Sequence, residues 1–286
     1  MAKVSIGVPV YNGSPYIRAS LQNLASQTFQ DFEVIISDNS SEDDTPEICR
    51  EFCEKDSRFR YLRQSENIGM VRNFEFVLRE SKSEYFCWRS YDDYADLDYI
   101  EFLTKILDNT PQATLAVSES VWYDFENNYE KTFKVNSTVG DARISSLKKL
   151  LIRCAGPWFY GLYRREKLIP HWEYVRDNIG FHGHNSDIIT IAKLVVDEAV
   201  VAQSGSKVHL QRFISRDLGE NYHSIENRVK SLKLARDHLL PSLKKVRANP
   251  IDRLILYILF VRFIDKKIVR IKPLLKDIIK RKFNRR

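Results

Sequence analysis

Two hydrophobic periods alternate along the first ninety positions of this chain. Short runs of β-branched and other apolar residues at 4–10, 32–37, 59–63 and 84–88 have the length and content of buried strands. Between them, apolar positions recur every three or four residues. Ile17, Leu21 and Leu24 mark a helix over 15–27, and Val71, Phe74, Val77 and Leu78 mark another over 70–81. Asp43-Asp44-Thr45-Pro46-Glu47 suits a helix start, with proline in the first turn and acids near the positive end of the helix dipole. Strand and helix in alternation predict an α/β fold built on a parallel sheet with right-handed crossovers.

The second half is less regular. The pattern predicts a helix over 97–107, a strand over 114–123, a polar hairpin or loop over 126–136 and a helix over 145–153. An aromatic stretch, Gly156-Pro157-Trp158-Phe159-Tyr160-Gly161, then leads into a strand at Tyr163. A His- and Gly-rich segment at 177–184 precedes an apolar helix over 187–195, and 200–212 reads as closing strands with a turn at Gly205. Residues 225–286 are largely helical and basic, so the chain divides into a body, 1–224, and an extension, 225–286.

Composition narrows the class. An apolar share of 43% and a charged share of 29% describe a globular protein rather than a disordered chain. The N-terminus enters a strand within three residues and lacks an apolar leader, which predicts a cytoplasmic location. Cys49, Cys53, Cys87 and Cys154 lack the paired spacing of a zinc site and are expected as reduced, mostly buried thiols. The net charge of +7 sits in the tail: residues 262–286 hold eleven Lys/Arg against Asp265 and Asp277, +9, which leaves −2 for the rest. Ile264, Ile268, Ile271, Leu275, Ile278 and Phe283 recur there at helical spacing, with Pro273 as a break. Such a stretch suits an anionic membrane surface, at the inner face of the plasma membrane, or alternatively a solvated helix packed on the body. The apolar run 254–261 is eight residues long, against about 20 needed to span a bilayer.

Candidate chemistry lies at the strand ends. Val4-Ser5-Ile6-Gly7-Val8-Pro9-Val10-Tyr11-Asn12-Gly13, Glu33-Val34-Ile35-Ile36-Ser37-Asp38-Asn39-Ser40-Ser41-Glu42-Asp43, Asn67-Ile68-Gly69 and Tyr85-Phe86-Cys87-Trp88-Arg89-Ser90-Tyr91-Asp92-Asp93 follow in order. Ligands of open α/β sheets bind beyond the carboxyl ends of the strands, so these ends are expected to converge. Turn and cap chemistry explains part of the same pattern, since Asn12-Gly13 and Asp38-Asn39-Ser40 suit turns and Asp92-Asp93 suits a loop before a helix.

In order and content these motifs resemble family 2 glycosyltransferases of the GT-A fold, inverting enzymes that use nucleotide-sugar donors. The resemblance covers about residues 3–215 and implies a Rossmann-like, mixed but mostly parallel sheet flanked by helices, followed here by a C-terminal helical extension. It implies that Pro9, Val10, Asn12 and the ring of Tyr11 border a nucleobase and that Asp38 accepts a hydrogen bond from the base. Asn39, Asn67 and Gly69 would close the pocket, and Arg72 would reach phosphate. Many relatives carry Asp-x-Asp-Asp at the fourth motif, where this chain has Ser90-Tyr91-Asp92-Asp93. Ser90 can still bond a ribose, with Tyr91 beside it on the donor side. Asp92 becomes the main ligand of Mg²⁺ or Mn²⁺, Asp93 a supporting one, and His209 stands where some GT-A enzymes supply a late ligand. Asp187 occupies the context of the general base, with a helix N-cap as its alternative role. His182 and His184 fit acceptor contact, a surface role or an HxH metal pair, and Trp158 and Tyr160 fit either sugar stacking or burial.

The function implied is transfer of a sugar from a nucleoside-diphosphate donor, UDP-linked in the expected case, to a glycan or lipid-linked acceptor of cell-surface polysaccharide. A catalytically silent nucleotide-binding homologue is the alternative that Ser90 keeps open. A sugar nucleotidyltransferase would show a basic, Gly-rich loop after the first strand, where Pro9-Val10-Tyr11-Asn12-Gly13-Ser14-Pro15 has no Lys or Arg. Nucleic-acid binding is argued against by the near-neutral body and the lack of an aromatic-basic motif.

Overall fold

Seven residues of almost unbroken apolar character place β1 (Val4–Val10) inside the sheet, with every side chain buried. The computed structural model describes residues 1–124, 127–139, 141–179, 185–211 and 225–269. β1 runs parallel to β2 (Phe32–Asp38) on one side and to β4 (Tyr85–Trp88) on the other, and β3 (Phe59–Arg63) lies parallel outside β2. The crossovers are α1 (Ser14–Ala25), α2 (Thr45–Lys55) and α3 (Met70–Glu80). The register pairs Val10 with Asp38, so the first two motifs end side by side.

Beyond β4 the sheet becomes mixed. β8 (Leu162–Arg164) is antiparallel to both β4 and β6 (Leu115–Asp124), and β9 (Val200–Gln211) is parallel to β6. β5 (Tyr94–Ala95) pairs with β9, giving the order β3-β2-β1-β4-β8-β6-β9-β5, while β7 (Tyr129–Phe133) forms a hairpin on β6. Parallel pairings hold most of the paired residues, as the GT-A resemblance implied.

Two apolar cores sandwich this sheet. One face packs against α1, α2 and α4 (Tyr99–Asp108). The other packs against α3, α5 (Arg143–Arg153), α6 (Arg165–Ile179), α7 (Ser186–Val196), α8 (Ile225–Lys245) and α9 (Pro250–Phe263). Trp88 centres the second core, stacked on Phe159 at 4.4 Å between ring centroids and in contact with Phe74, Tyr163 and Trp172. Leu234, Leu239, Leu256 and Phe260 of the extension are buried in that same core. No disulfide joins the cysteines, and three of the four are buried; burial pushes the Cys87 thiol up to about 12, which suits packing rather than nucleophilic chemistry.

Two expectations are corrected. Residues 165–179 form α6, which the pattern had not marked, because Pro170 lies inside it and its buried positions Leu168, Trp172 and Val175 are sparse. Gly205 is not a turn between two strands: β9 runs through it, and a bulge between Val117 and Glu119 absorbs the extra residues. The glycine is needed for space, since a Cβ there would lie 2.5 Å from the ring of Phe102.

Candidate active site

The first three motifs converge through a lattice of side-chain to backbone hydrogen bonds. Asn12 takes a left-handed turn (φ 49°), donates its N–H to Ser41 Oγ at 2.9 Å and accepts from the Glu42 N–H at 2.9 Å. The Gly13 N–H donates to Thr45 Oγ1, so the loop after β1 is fastened to the loop after β2. Asn39 donates to Asn67 Oδ1 and accepts from the Ile68 N–H, which joins that second loop to the entry of α3. Asn73, which the motif reading did not single out, is buried behind them. It accepts from Ser37 Oγ at 2.6 Å and donates to the Ser37 carbonyl. Its signal was a polar residue on the apolar face of a helix.

Gly69 completes the clasp with φ 82° and ψ 157°, a region almost closed to residues with a Cβ. Gly69→Ala is therefore expected to lower stability by about 1–3 kcal/mol and to weaken nucleotide binding, read by melting with and without nucleotide.

Individual positions divide between ligand-facing and structural. Tyr11 is exposed at 41%, leaving its ring accessible at the end of β1. Pro9 and Val10 are buried, and the Val10 carbonyl accepts from the Asn39 N–H. Asp38 is fully buried, accepting from the Tyr61 hydroxyl at 2.6 Å and the Ser41 N–H at 2.8 Å, with Arg63 Nη1 at 3.9 Å. Its carboxylate organises the loop, and Tyr61 and Arg63 join it as neighbours that sequence reading had missed. Burial and the bond to Asp38 raise the Tyr61 pKa, keeping that hydroxyl a donor. Arg72 is exposed and lines a cavity of about 720 Å³ with Ile68, Glu75, Arg79 and Arg176, between α3 and α6.

The fourth motif is joined to the first by packing. A Cβ on Gly13 would lie 2.8 Å from the ring of Tyr91, so the glycine permits that ring to approach. The Ser90 hydroxyl donates to Asp92 Oδ1, and Asp93 Oδ1 accepts the Gln211 N–H at 3.0 Å, tying the motif to β9. Both carboxylates are buried. His209 has Nε2 2.8 Å from Asp96 Oδ1 and Nδ1 3.4 Å from the Tyr123 hydroxyl, and its ring stacks on Tyr94. Among the described residues no three His, Cys, Asp or Glu form a metal-binding group. The residues fit a cation in another way, held by Asp92 and completed by diphosphate oxygens and water, the usual mode for Mg²⁺.

On the opposite side, α7 begins after Asn185, which takes a left-handed conformation (φ 62°). Asp187 lies in its first turn, and its Oδ2 would be 3.0 Å from a Cβ on Gly156. Desolvation raises its pKa, against the opposing effect of the Ile188 and Asp187 N–H groups. Gly156→Ala is expected to displace this carboxylate, lowering kcat about tenfold or more while sparing donor affinity; kcat and donor Kd measured separately check it. Trp158 is corrected as a sugar platform, being 2% exposed in the core, because the apolar layer beneath β4 claims it. Tyr160 is half-buried and its carbonyl accepts from Tyr99. His182 and His184 lie outside the described residues.

This sheet order, with a loop lattice at the carboxyl ends of β1 and β2 and an acidic motif after β4, defines the GT-A type of glycosyltransferase fold. The chain belongs to glycosyl transferase family 2, whose family model matches residues 5–170. A glycosyltransferase of Streptococcus pneumoniae, GlyA, is 33% identical over 126 residues, 44% of this chain and 18% of the relative. A Campylobacter jejuni GalNAc(5)-diNAcBac-PP-undecaprenol β-1,3-glucosyltransferase is 24% identical over 66% of this chain and 59% of its own length. The chain thus spans less than two thirds of these relatives. Among solved structures, S. aureus TarS 1–349 in complex with UDP-GlcNAc aligns over 93% of this chain and 73% of its own, with a TM-score of 0.66 and 17% identity. A Pyrobaculum calidifontis mannosyltransferase in complex with GDP-Man and Mn²⁺ aligns over 90% of this chain and 68% of its own, with a TM-score of 0.55 and 18% identity.

Proposed function

We propose that this protein transfers a sugar, with inversion, from a UDP-linked donor to a glycan or lipid-linked acceptor in cell-surface polysaccharide assembly. The observation that carries the reading is Asp187, a carboxylate of raised pKa in the first turn of α7, set against the glycine of the aromatic segment. A carboxylate whose pKa is raised by desolvation is better suited to receive a proton as the reaction proceeds. The UDP-GlcNAc bound to TarS supports a uridine donor, and the undecaprenol-linked substrate named for the C. jejuni relative supports a lipid-linked acceptor.

In this mechanism the ring of Tyr11 flanks the base, the Asn39–Asn67–Gly69 clasp holds the pocket closed, and Ser90 and Tyr91 border the ribose. Asp92 would hold Mn²⁺ or Mg²⁺, whose charge would favour departure of the nucleoside diphosphate. Asp187 takes the proton of the acceptor hydroxyl as its oxygen bonds to the anomeric carbon. The bond from that carbon to the diphosphate breaks, and its electron pair leaves with the nucleotide. Arg72, exposed one turn after Gly69, would reach the donor phosphates. The enzyme works at the cytoplasmic face of an anionic membrane, drawn there by the basic residues 262–286, of which 262–269 are described.

A donor panel tests the reading. One UDP-sugar is expected to raise the melting temperature in the presence of Mn²⁺ and to release UDP on turnover. Absence of binding across the panel would sink it.

A further inference from the structure

The extension carries an apolar surface that the transfer reaction does not use. On α9, Ile251, Leu254, Ile255, Ile258 and Val261 recur at three- and four-residue steps and are all exposed, from 37% at Ile255 to 73% at Ile251. The opposite side of the same helix buries Leu256, Phe260 and Phe263 in the core. The helix is thus apolar on both sides, and only one side has a partner among the described residues. Next to its start is a cavity of about 620 Å³ lined by Leu240, Leu243, Val246 and Tyr257, with Lys244 and Arg253 also in its wall.

Charge selects the occupant. Lys244, Lys245, Arg247, Arg253, Arg262 and Lys266 are exposed around this face, against two acids, Asp252 and Asp265. Asp252 is taken by Lys148 of α5. Nine further Lys/Arg follow at 267–286, with Asp277 as the only acid. An apolar helix face bordered by cations matches the interfacial region of an anionic bilayer, where apolar side chains enter the acyl boundary and cations meet lipid phosphates. Spanning does not fit: Arg253, Arg262, Asp265 and Lys266 interrupt the apolar stretch, and no helix among the described residues is long and apolar enough to cross a membrane.

We infer that α9 is a membrane-docking helix that lies in the plane of an anionic bilayer, with its Ile251–Leu254–Ile258 face inserted and the cavity beside Lys244 and Arg253 taking a lipid. This rests on the reading that the enzyme works at a membrane, and it adds an inserted apolar element to the basic tail. Because α9 and α8 pack on α5, α6 and α7, the docking face and Asp187 belong to one helical layer. That arrangement orients the acceptor side relative to the lipid surface.

Vesicle co-sedimentation of the full chain tests it, using phosphatidylcholine vesicles with and without phosphatidylglycerol. Wild type is expected on the anionic vesicles. The variant Ile251→Ser/Leu254→Ser/Ile258→Ser is expected to lose about tenfold or more in partitioning, since three inserted apolar side chains are removed. Its UDP-sugar binding should match wild type, because these side chains are exposed and remote from the nucleotide lattice. Lys244→Glu/Arg253→Glu is expected to lose binding to the anionic vesicles in the same way. Wild-type binding that the serine variant retains would overturn the role of α9 while leaving the tail as anchor. No wild-type binding to anionic vesicles would overturn both. A dimer by light scattering that the serine variant abolishes, with vesicle binding unchanged, would assign the face to a second copy of the chain instead.

Discussion

Asp187→Asn is expected to leave donor binding intact and to lower transfer by about 10²–10⁴-fold, the range for loss of a general base. The asparagine keeps the shape of the side chain beside Gly156 but cannot accept the acceptor's proton. Stability separates this loss from misfolding. Desolvation raises the folded pKa of Asp187 above its ordinary 3.8, so its favourable contribution is present below the unfolded value and lost as pH rises through the folded one. At neutral pH the ionised carboxylate therefore destabilises the fold relative to a neutral side chain, and the variant should melt at or above the wild-type temperature. The same shift moves the acidic limb of the wild-type pH–rate profile upward from the ordinary aspartate value, with activity falling as pH drops through it. Single-turnover transfer, donor Kd and melting curves check the three statements, and a variant with unchanged transfer would remove Asp187 from the role of base.

Asp92→Ala is expected to lower metal-dependent release of nucleoside diphosphate by about 10³-fold, several kcal/mol of lost charge stabilisation. Asp93→Asn is expected to do much less. Asp93 Oδ1 accepts a backbone N–H from Gln211, and an asparagine oxygen can accept the same bond. Replacing His209 by Gln should likewise leave the apparent metal affinity unchanged, because its ring is held by Asp96, Tyr123 and Tyr94. Release of nucleotide measured across a Mn²⁺ titration checks all three. Equal sensitivity of the Asp92 and Asp93 variants would put the metal on both carboxylates.

The amino-terminal half of the molecule was legible because its information is local. β1, β2 and β4 are short apolar runs buried on both faces, and each carries its polar residues directly after its last apolar position. Asn12, Asn39, Asn67 and Gly69 come together because strands in one parallel sheet end on one side, a consequence of the strand–helix alternation itself. The carboxyl-terminal half was less legible. α6 is interrupted by Pro170, and β9 absorbs its bulge only through its register with β6, a pairing of residues about 85 positions apart. Trp158 could be read as platform or core, and burial decided for the core.

The amino-acid sequence by itself determined the fold class, the order of the nucleotide motifs and the substitution of Ser90 for a carboxylate, since each is written in adjacent residues or in a repeating period. Only the tertiary structure decided which partners the ambiguous side chains take. It turned His209 to Asp96, Asp93 to Gln211 and Arg72 to the α3–α6 cavity, it brought Asp187 over Gly156, and it left one apolar face of α9 exposed. The physical reason is the same in each case: a side chain's role depends on burial and on neighbours distant in sequence, and neither follows from local periodicity.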